Sequence, residues 1–311
     1  LKILLLGANG QLGQTFLKES ALTTFGEVVP VTRDGQLSGG MTGVAGDLSS
    51  PEGMTAVLDR VQPDVIINAA AFTAVDRAEQ EEKLATRVNG ESVGAIGAWA
   101  ASNDALVLHY STDYVFDGSS AEPYAVDAAT APLGAYGRSK LAGERALAGS
   151  GARHMIFRTA WVYAAHGHNF LRTMLRLGAE RDELRIVADQ HGAPTSTGLI
   201  VRGTLAALDV WSKASGNERS KLEGTHHLVA SGTTTWHGFA VAIFDEAFRR
   251  GLIAKKPVVT PIDTADFPTP AKRPAYSVLE NADFQKRFGF VLPDWQQGLL
   301  DVMGELSIPT H

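Results

Sequence analysis

The chain has 311 residues, 44% of them hydrophobic and 20% charged, with a formal charge of −6 and no cysteine. That length holds one large domain or two ordinary ones with a sizeable core. It predicts neither disulfides nor thiolate chemistry and suits a cytoplasmic location. No basic stripe points to nucleic acid, the apolar runs are too short to span a bilayer, and the start Leu1-Lys2-Ile3 predicts no secretory leader.

In chain order, Lys2–Leu6 is a short apolar run ended by Gly7, which predicts a buried strand. Residues 11–20 follow with Leu12, Phe16 and Leu17 on one helical face. Residues 27–32 predict a second strand, although Pro30 removes a ladder donor. Residues 64–69 predict a third strand and 81–102 a helix. Residues 105–110 predict a fourth strand, ending in the polar run Ser111-Thr112-Asp113. A helix over 136–147 and a fifth strand over 153–157 complete the alternation. Strands and helices at this spacing imply a doubly wound parallel sheet of Rossmann type, with ligands beyond the carboxyl ends of the strands.

The second half is less regular. Residues 169–179 predict a helix, and 184–187 and 226–229 short strands. Trp236, Phe239, Ala240, Ile243, Phe244, Ala247 and Phe248 recur at helical spacing and read as a core face. The polar stretch 212–223 predicts a surface loop. Residues 257–274, with five prolines, predict extended coil.

Three motifs carry chemistry. Gly7-Ala-Asn-Gly10-Gln-Leu-Gly13 lies between a predicted strand and helix. In that setting Gly7 can make the tight turn, Gly10 lets the backbone approach a pyrophosphate, and Gly13 lets helix and strand pack closely. After the second strand, Arg33 could pair with a 2′-phosphate, favouring NADPH, while Asp34 could hold a free ribose, which leaves NADH open. Asp47 could accept from an adenine amino group, with Leu48 packed on the ring; a plain turn aspartate is the alternative.

Tyr136-Gly-Arg-Ser-Lys140 puts a phenol and an ammonium on one helical face. A nearby cation favours phenolate and lowers the phenol pKa, which suits proton transfer near neutrality. The alternative is a surface pair with Lys140 bonded to Glu144. Thr112, at a strand end, offers a hydroxyl to a substrate oxygen and to the phenol; a turn cluster is its alternative.

These motifs in this order resemble the extended short-chain dehydrogenase/reductase superfamily. Longer strings are similar to the dTDP-4-dehydrorhamnose reductase family: Asn68 to Glu79, His109 to Gly118, Tyr136 to Glu144, Arg158 to Tyr163, Asp189 to Thr195 and Gly232 to Trp236. The resemblance runs nearly end to end. It implies a cofactor domain over 1–160 plus about 186–230, and a smaller substrate-binding domain over about 161–185 plus 231–311. It implies hydride delivery from NADPH or NADH to C4 of a dTDP-linked 4-keto-6-deoxy sugar, with Tyr136 as proton donor.

By the family pattern Gly10, Gln11, Leu12, Asp47, Leu48, Ala71, Phe72, Thr73, Tyr110 and Lys140 line the cofactor, and Thr73, Val75, Thr112, Asp113 and Trp161 meet the sugar. Arg273 is a candidate for the diphosphate, with a surface arginine as the alternative. Some family members are magnesium-linked dimers. The corresponding positions here read Thr15, Gly198 and Gln296, poor Mg²⁺ ligands, so no metal is expected, and a homodimer remains an open expectation. His166, His168, His226 and His227 are not expected to form a metal site.

Three rivals share the fold. A dehydratase or epimerase is the nearest; a dehydratase needs a further acid and base, and relatives that dehydrate carry Asp-Glu after the threonine, where this chain has Asp113-Tyr114. A non-catalytic regulatory subunit need not keep Thr112, Tyr136 and Lys140. A sister reductase forming 6-deoxy-L-talose differs only in C4 stereochemistry.

Overall fold

The structure is a computed structural model that describes residues 1–307; the last four residues of the expected second domain, 308–311, lie outside the described residues. The first half alternates as the sequence predicts: β1 (Lys2–Leu6), α1 (Gln11–Lys18), β2 (Glu27–Thr32), β3 (Val44–Ala45), α2 (Pro51–Val61) and β4 (Val65–Asn68). After short helices α3 (Val75–Ala78) and α4 (Glu82–Thr86) come α5 (Ser92–Asn103), β5 (Leu106–Thr112), α6 (Ala135–Ala148) and β6 (Arg153–Thr159). With a later strand, Gly224–His227, these form a seven-stranded sheet. Every pairing in it is parallel.

From β3 inward the order is β3-β2-β1-β4-β5-β6, then the Gly224–His227 strand. The chain reverses direction across the sheet between β1 and β4, the place beyond the strand ends where sheets of this kind bind ligands. Ile3 to Leu6 and Leu106 to Leu108 have no exposed surface. Burial of each such side chain stabilises by about 1.5–3 kcal/mol, which is why both faces must be covered by helices. Pro30 is accommodated because β3 pairs only from Val31 onward. Thr32 faces β3, accepting from Gly46 N–H, and Pro30 shares that side just before β3 begins.

The predicted helix over 81–102 is one helical run interrupted by a π-turn at Arg87–Glu91. The extra residue per turn re-aims one side chain, Asn89, into the interior.

The second half builds β7 (Val162–Tyr163), α7 (Phe170–Glu180), β8 (Glu183–Val187), β9 (His191–Gly192), β10 (Thr195–Ser196), α8 (Thr197–Lys213) and α9 (Gly216–Leu222). There follow β11 (Gly224–His227), β12 (Thr234–Thr235), α10 (Trp236–Arg249), β13 (Val258–Ile262), α11 (Ala282–Phe288) and α12 (Trp295–Leu306). Two expectations are corrected here. The polar stretch after α8 is a short helix, α9, pinned by Arg219 to the α8 carboxyl end. Part of the proline-rich coil is β13, parallel to β8; among the described residues β8 is its one partner, so Pro261 needs no donor on the open side. One apolar core runs from β1, β5 and β6 through α8 to α7, α10 and α12. Among the described residues no helix is long and apolar enough to cross a membrane.

Candidate active site

The glycine turn has the geometry its residues suggest. Gly7 has φ +77°, and a Cβ there would lie 2.8 Å from the Ala70 backbone. A Cβ on Gly13 would strike the Gly7 carbonyl. Helix α1 opens at Gly10 with no side-chain cap, and Gly10 N–H donates back to Gly7 at 2.8 Å. The free N–H groups of the first turn and the positive end of the helix dipole suit an anionic group such as a pyrophosphate. Gln11 is held by Asn169, whose Nδ2 donates to Gln11 Oε1 at 2.7 Å.

Arg33 is exposed and close enough to Asp34 and Asp47 to lower both carboxyl pKa values, although the backbone bonds from Gln36 and Ser49 are the larger causes. Leu48 is buried in one apolar cluster with Met54 and Val57, and its carbonyl accepts from Ser92 Oγ.

The segment after β4 carries Ala71, Phe72 and Thr73. Asn89 holds it: Phe72 N–H donates to Asn89 Oδ1 at 2.8 Å, while Asn89 Nδ2 donates to the Phe72 carbonyl and to Ser139 Oγ, both at 3.0 Å. The π-turn thereby ties this loop to α6 next to Lys140. Phe72 packs with Ala135 and Tyr136. Thr73 is exposed and Val75 half-buried.

Helix α6 is closely seated because a Cβ on Gly137 or Gly143 would strike the Tyr114 or Asn89 carbonyl. Glu79 caps it from outside, accepting from Ala135 N–H at 2.7 Å. Lys140 is buried and its Nζ donates to the Tyr110 carbonyl at 2.6 Å. The surface-pair alternative is excluded, since Glu144 is bonded instead to Arg158 at 2.7 Å. Burial pulls the Lys140 pKa down to about 8, with Glu144 opposing. Tyr110 meets the site only through its backbone; its hydroxyl lies in the core with Thr204, 2.9 Å away.

Thr112 Oγ1 donates to Asp113 Oδ1 at 3.0 Å, and its hydroxyl is close enough to Tyr136 to act on the phenol pKa. The phenol pKa does not fall as the sequence suggests. Burial pushes it up to about 12, the Thr112 hydroxyl acts downward and the Asp113 charge pushes it further up. Lys140 Nζ is directed at the Tyr110 carbonyl. Asp113 is itself buried, and burial raises its carboxyl to about 6.

Beside Tyr136 stands Tyr114, edge to face at 5.8 Å; burial raises the Tyr114 pKa, and Arg273 is near enough to oppose that rise. Arg273 donates to Asp76 at 3.0 Å and borders a cleft of about 920 Å³ between α7, β8 and the 262–273 segment. Trp236 lines the same cleft, correcting its reading as core only. It stacks on Trp161 at 3.5 Å and 5°, and donates to Gln190 Oε1 at 3.1 Å. Trp161 itself has φ +46°, a strained conformation for a bulky residue.

The structure therefore gathers Gly7, Gly10, Gly13, Ala71, Phe72, Thr112, Asp113, Tyr136 and Lys140 around the ends of β1, β4 and β5, with Arg273 reached through Tyr114. Among the described residues no cluster of three or more His, Asp or Glu side chains is suited to a metal. His226 Nε2 and His227 Nδ1 bind separate backbone carbonyls, those of Leu222 and Glu280. Thr15 Oγ1 lies 2.8 Å from Thr197 Oγ1.

Comparison with known proteins agrees with this geometry. The profile of the family described as RmlD substrate binding domain matches residues 1–308. A dTDP-4-dehydrorhamnose reductase of Shigella flexneri is 44% identical over 310 residues, covering 100% of this chain and 99% of the relative. The crystal structure of a dTDP-4-dehydrorhamnose reductase from Clostridium acetobutylicum superposes with a TM-score of 0.86 at 36% identity, covering 99% of this chain and 100% of the other. One from Bacillus anthracis, in complex with NADP, gives 0.83 at 32% identity, covering 98% and 99%. With full-length identity well above what fold alone produces, the chain belongs to the dTDP-4-dehydrorhamnose reductase family.

Proposed function

We propose that this protein reduces the C4 ketone of dTDP-4-dehydro-L-rhamnose to dTDP-L-rhamnose with NADPH or NADH. The observation that carries the reading is the grouping of buried Thr112 and Lys140 with half-buried Tyr136 beside an uncapped glycine turn, in a chain with a reductase relative matched over its full length.

The glycine turn fits a dinucleotide, because Gly7 and Gly13 let the turn, the Ala70 backbone and the first turn of α1 pack without a Cβ between them, and the helix then opens with its N–H groups free for a pyrophosphate. The nicotinamide supplies the hydride. Residues Gly10, Gln11 and Leu12 receive the pyrophosphate at the head of α1, and the loop at Ala71 to Thr73 borders the dinucleotide. Tyr136 gives its phenolic proton to the sugar O4 as negative charge develops there. Thr112 turns its hydroxyl from Asp113 to that oxygen, and Lys140 stabilises the phenolate left behind. Trp161, backed by Trp236, forms an apolar wall for the sugar, and Arg273 faces the diphosphate. A cofactor part over 1–160 and about 188–230 and a substrate part formed by the remainder fit this division. The boundary belongs after Val187 rather than at 186, because β8 pairs with β13.

Two outcomes are expected. Arg33→Ala raises KM for NADPH more than KM for NADH, and equal effects in steady-state kinetics remove Arg33 from the cofactor reading. Trp236→Ala raises KM for the sugar nucleotide about tenfold with a smaller change in kcat, since an aromatic stack contributes about 0.5–1.5 kcal/mol beyond its burial. An unchanged KM would separate Trp236 from the site. The overall reading is tested by mixing protein, dTDP-4-dehydro-L-rhamnose and NADPH and following nicotinamide absorbance. No oxidation sinks it.

A further inference from the structure

Beneath Lys140 lies a polar pair that the proposed reaction does not use. His109, in β5, is fully buried, and Asn68 is its neighbour across the β4–β5 ladder. Asn68 Nδ2 is 3.1 Å from His109 Nδ1, and His109 Nε2 is 3.5 Å from Lys140 Nζ. The far end of this chain is fixed by the backbone. Asn68 Oδ1 accepts from Ala70 N–H at 3.3 Å, and a backbone N–H can only donate. That bond decides which way the amide faces, so Nδ2 donates to His109 Nδ1. A neutral imidazole that accepts at Nδ1 carries its proton on Nε2. The Nε2–H therefore faces Lys140.

We propose that Asn68 and His109 are positioning residues that present an N–H, rather than a lone pair, to Lys140 Nζ and so make the Lys140 ammonium readier to give up a proton. This rests on the reductase reading for its purpose, though not for its test.

An ammonium has three N–H groups and no acceptor. With Lys140 charged, donor meets donor at His109. With Lys140 neutral, its lone pair takes the Nε2–H while its own N–H still reaches the Tyr110 carbonyl. The array Ala70 N–H, Asn68, His109, Lys140, Tyr110 carbonyl is then satisfied in a single direction. The imidazole stays neutral because burial, Lys140 from α6 and His154 from β6 all lower its pKa, while Asn68 from β4 brings no charge. Facing Lys140, Glu144 acts the other way.

The consequence for reduction is a lysine able to part with a proton. After Tyr136 has given its proton to the sugar oxygen, an N–H bond of the Lys140 ammonium breaks. A phenol O–H bond re-forms, directly or through an intervening hydroxyl or water. The neutral amine left behind turns its lone pair to the His109 Nε2–H, and solvent restores its proton for the next turnover. A group whose pKa lies near the working pH does this best.

The test is an NMR titration of protein labelled with [¹³C,¹⁵N]-lysine, with the Lys140 signal identified by its loss in Lys140→Arg. It needs no substrate. Asn68→Asp and Asn68→Ala both release His109 Nδ1, so the imidazole can turn its lone pair to Lys140. The Lys140 midpoint is expected to rise by about one pH unit in Asn68→Asp and by less in Asn68→Ala. Because aspartate adds its own charge, the Asn68→Asp shift is measured again in a His109→Phe background. There it should shrink to about half or less if the imidazole carries the effect. Unchanged midpoints in both Asn68 variants overturn the proposal, as does a full Asn68→Asp shift in the His109→Phe background; the uncharged Asn68→Ala decides if the aspartate variant does not fold. In kinetics, the fall of kcat as pH rises through the Lys140 midpoint should move upward with that midpoint, with KM for the dinucleotide little changed. A wild-type protein that turns over no ketosugar would remove the reductase reading while leaving the midpoints to decide this one.

Discussion

Replacing Tyr136 by phenylalanine is expected to lower ketosugar turnover on the order of a thousandfold, the usual scale for removing a placed general acid. The ring would keep its edge-to-face contact with Tyr114 and its packing beside Phe72. Dinucleotide affinity, read by fluorescence titration, should therefore stay at the wild-type value. The loss is that of the proton alone. Thr112 can still donate a hydrogen bond to the sugar oxygen, but an aliphatic hydroxyl is too weak an acid to give up its proton in place of a phenol. Turnover near the wild-type rate would show that another group supplies the proton.

The second large effect is on stability. Glu144, one turn beyond Lys140 on α6, receives Nε and Nη2 of Arg158 from β6 at 3.0 and 2.7 Å. Arg158 also donates to the Val126 carbonyl at 2.9 Å and lies over Phe116. Both side chains are buried. Arg158→Met leaves a carboxylate without its partner in the interior, which costs about 3–5 kcal/mol. Urea unfolding should show that loss, together with reduced turnover, because the pair seats the helix that carries Tyr136 and Lys140. Adding Glu144→Leu should restore most of the stability, since an apolar pair of similar volume is often close to neutral. A single variant as stable as wild type would show that the pair does not brace α6.

Much of this was legible in the sequence because it is local. Alternating apolar runs gave the parallel sheet, the glycine spacing gave the turn after β1, and the four-residue spacing put Tyr136 and Lys140 on one face. What escaped depends on contacts between distant elements. The π-turn at Arg87–Glu91 adds a residue to one turn, a shift that helical periodicity does not register, so the aim of Asn89 into the loop was hidden. A polar residue inside an otherwise helical run was the one available signal. Trp236 satisfies a helical core pattern and also lines the cleft, because it begins α10 where the helix leaves the core. Asn68 and His109 become partners through strand register, and register across a parallel sheet is not written in either strand alone. The phenol pKa went the other way from expectation because spacing reports proximity and not burial.

The measurement that reaches the centre of this account is label transfer. The protein is given dTDP-4-dehydro-L-rhamnose and NADPH carrying deuterium at both nicotinamide C4 positions, and the sugar product is read by NMR. The account predicts deuterium at C4 of dTDP-L-rhamnose. Deuterium at another carbon, an unlabelled product, or a C4-labelled product of the opposite configuration would contradict it.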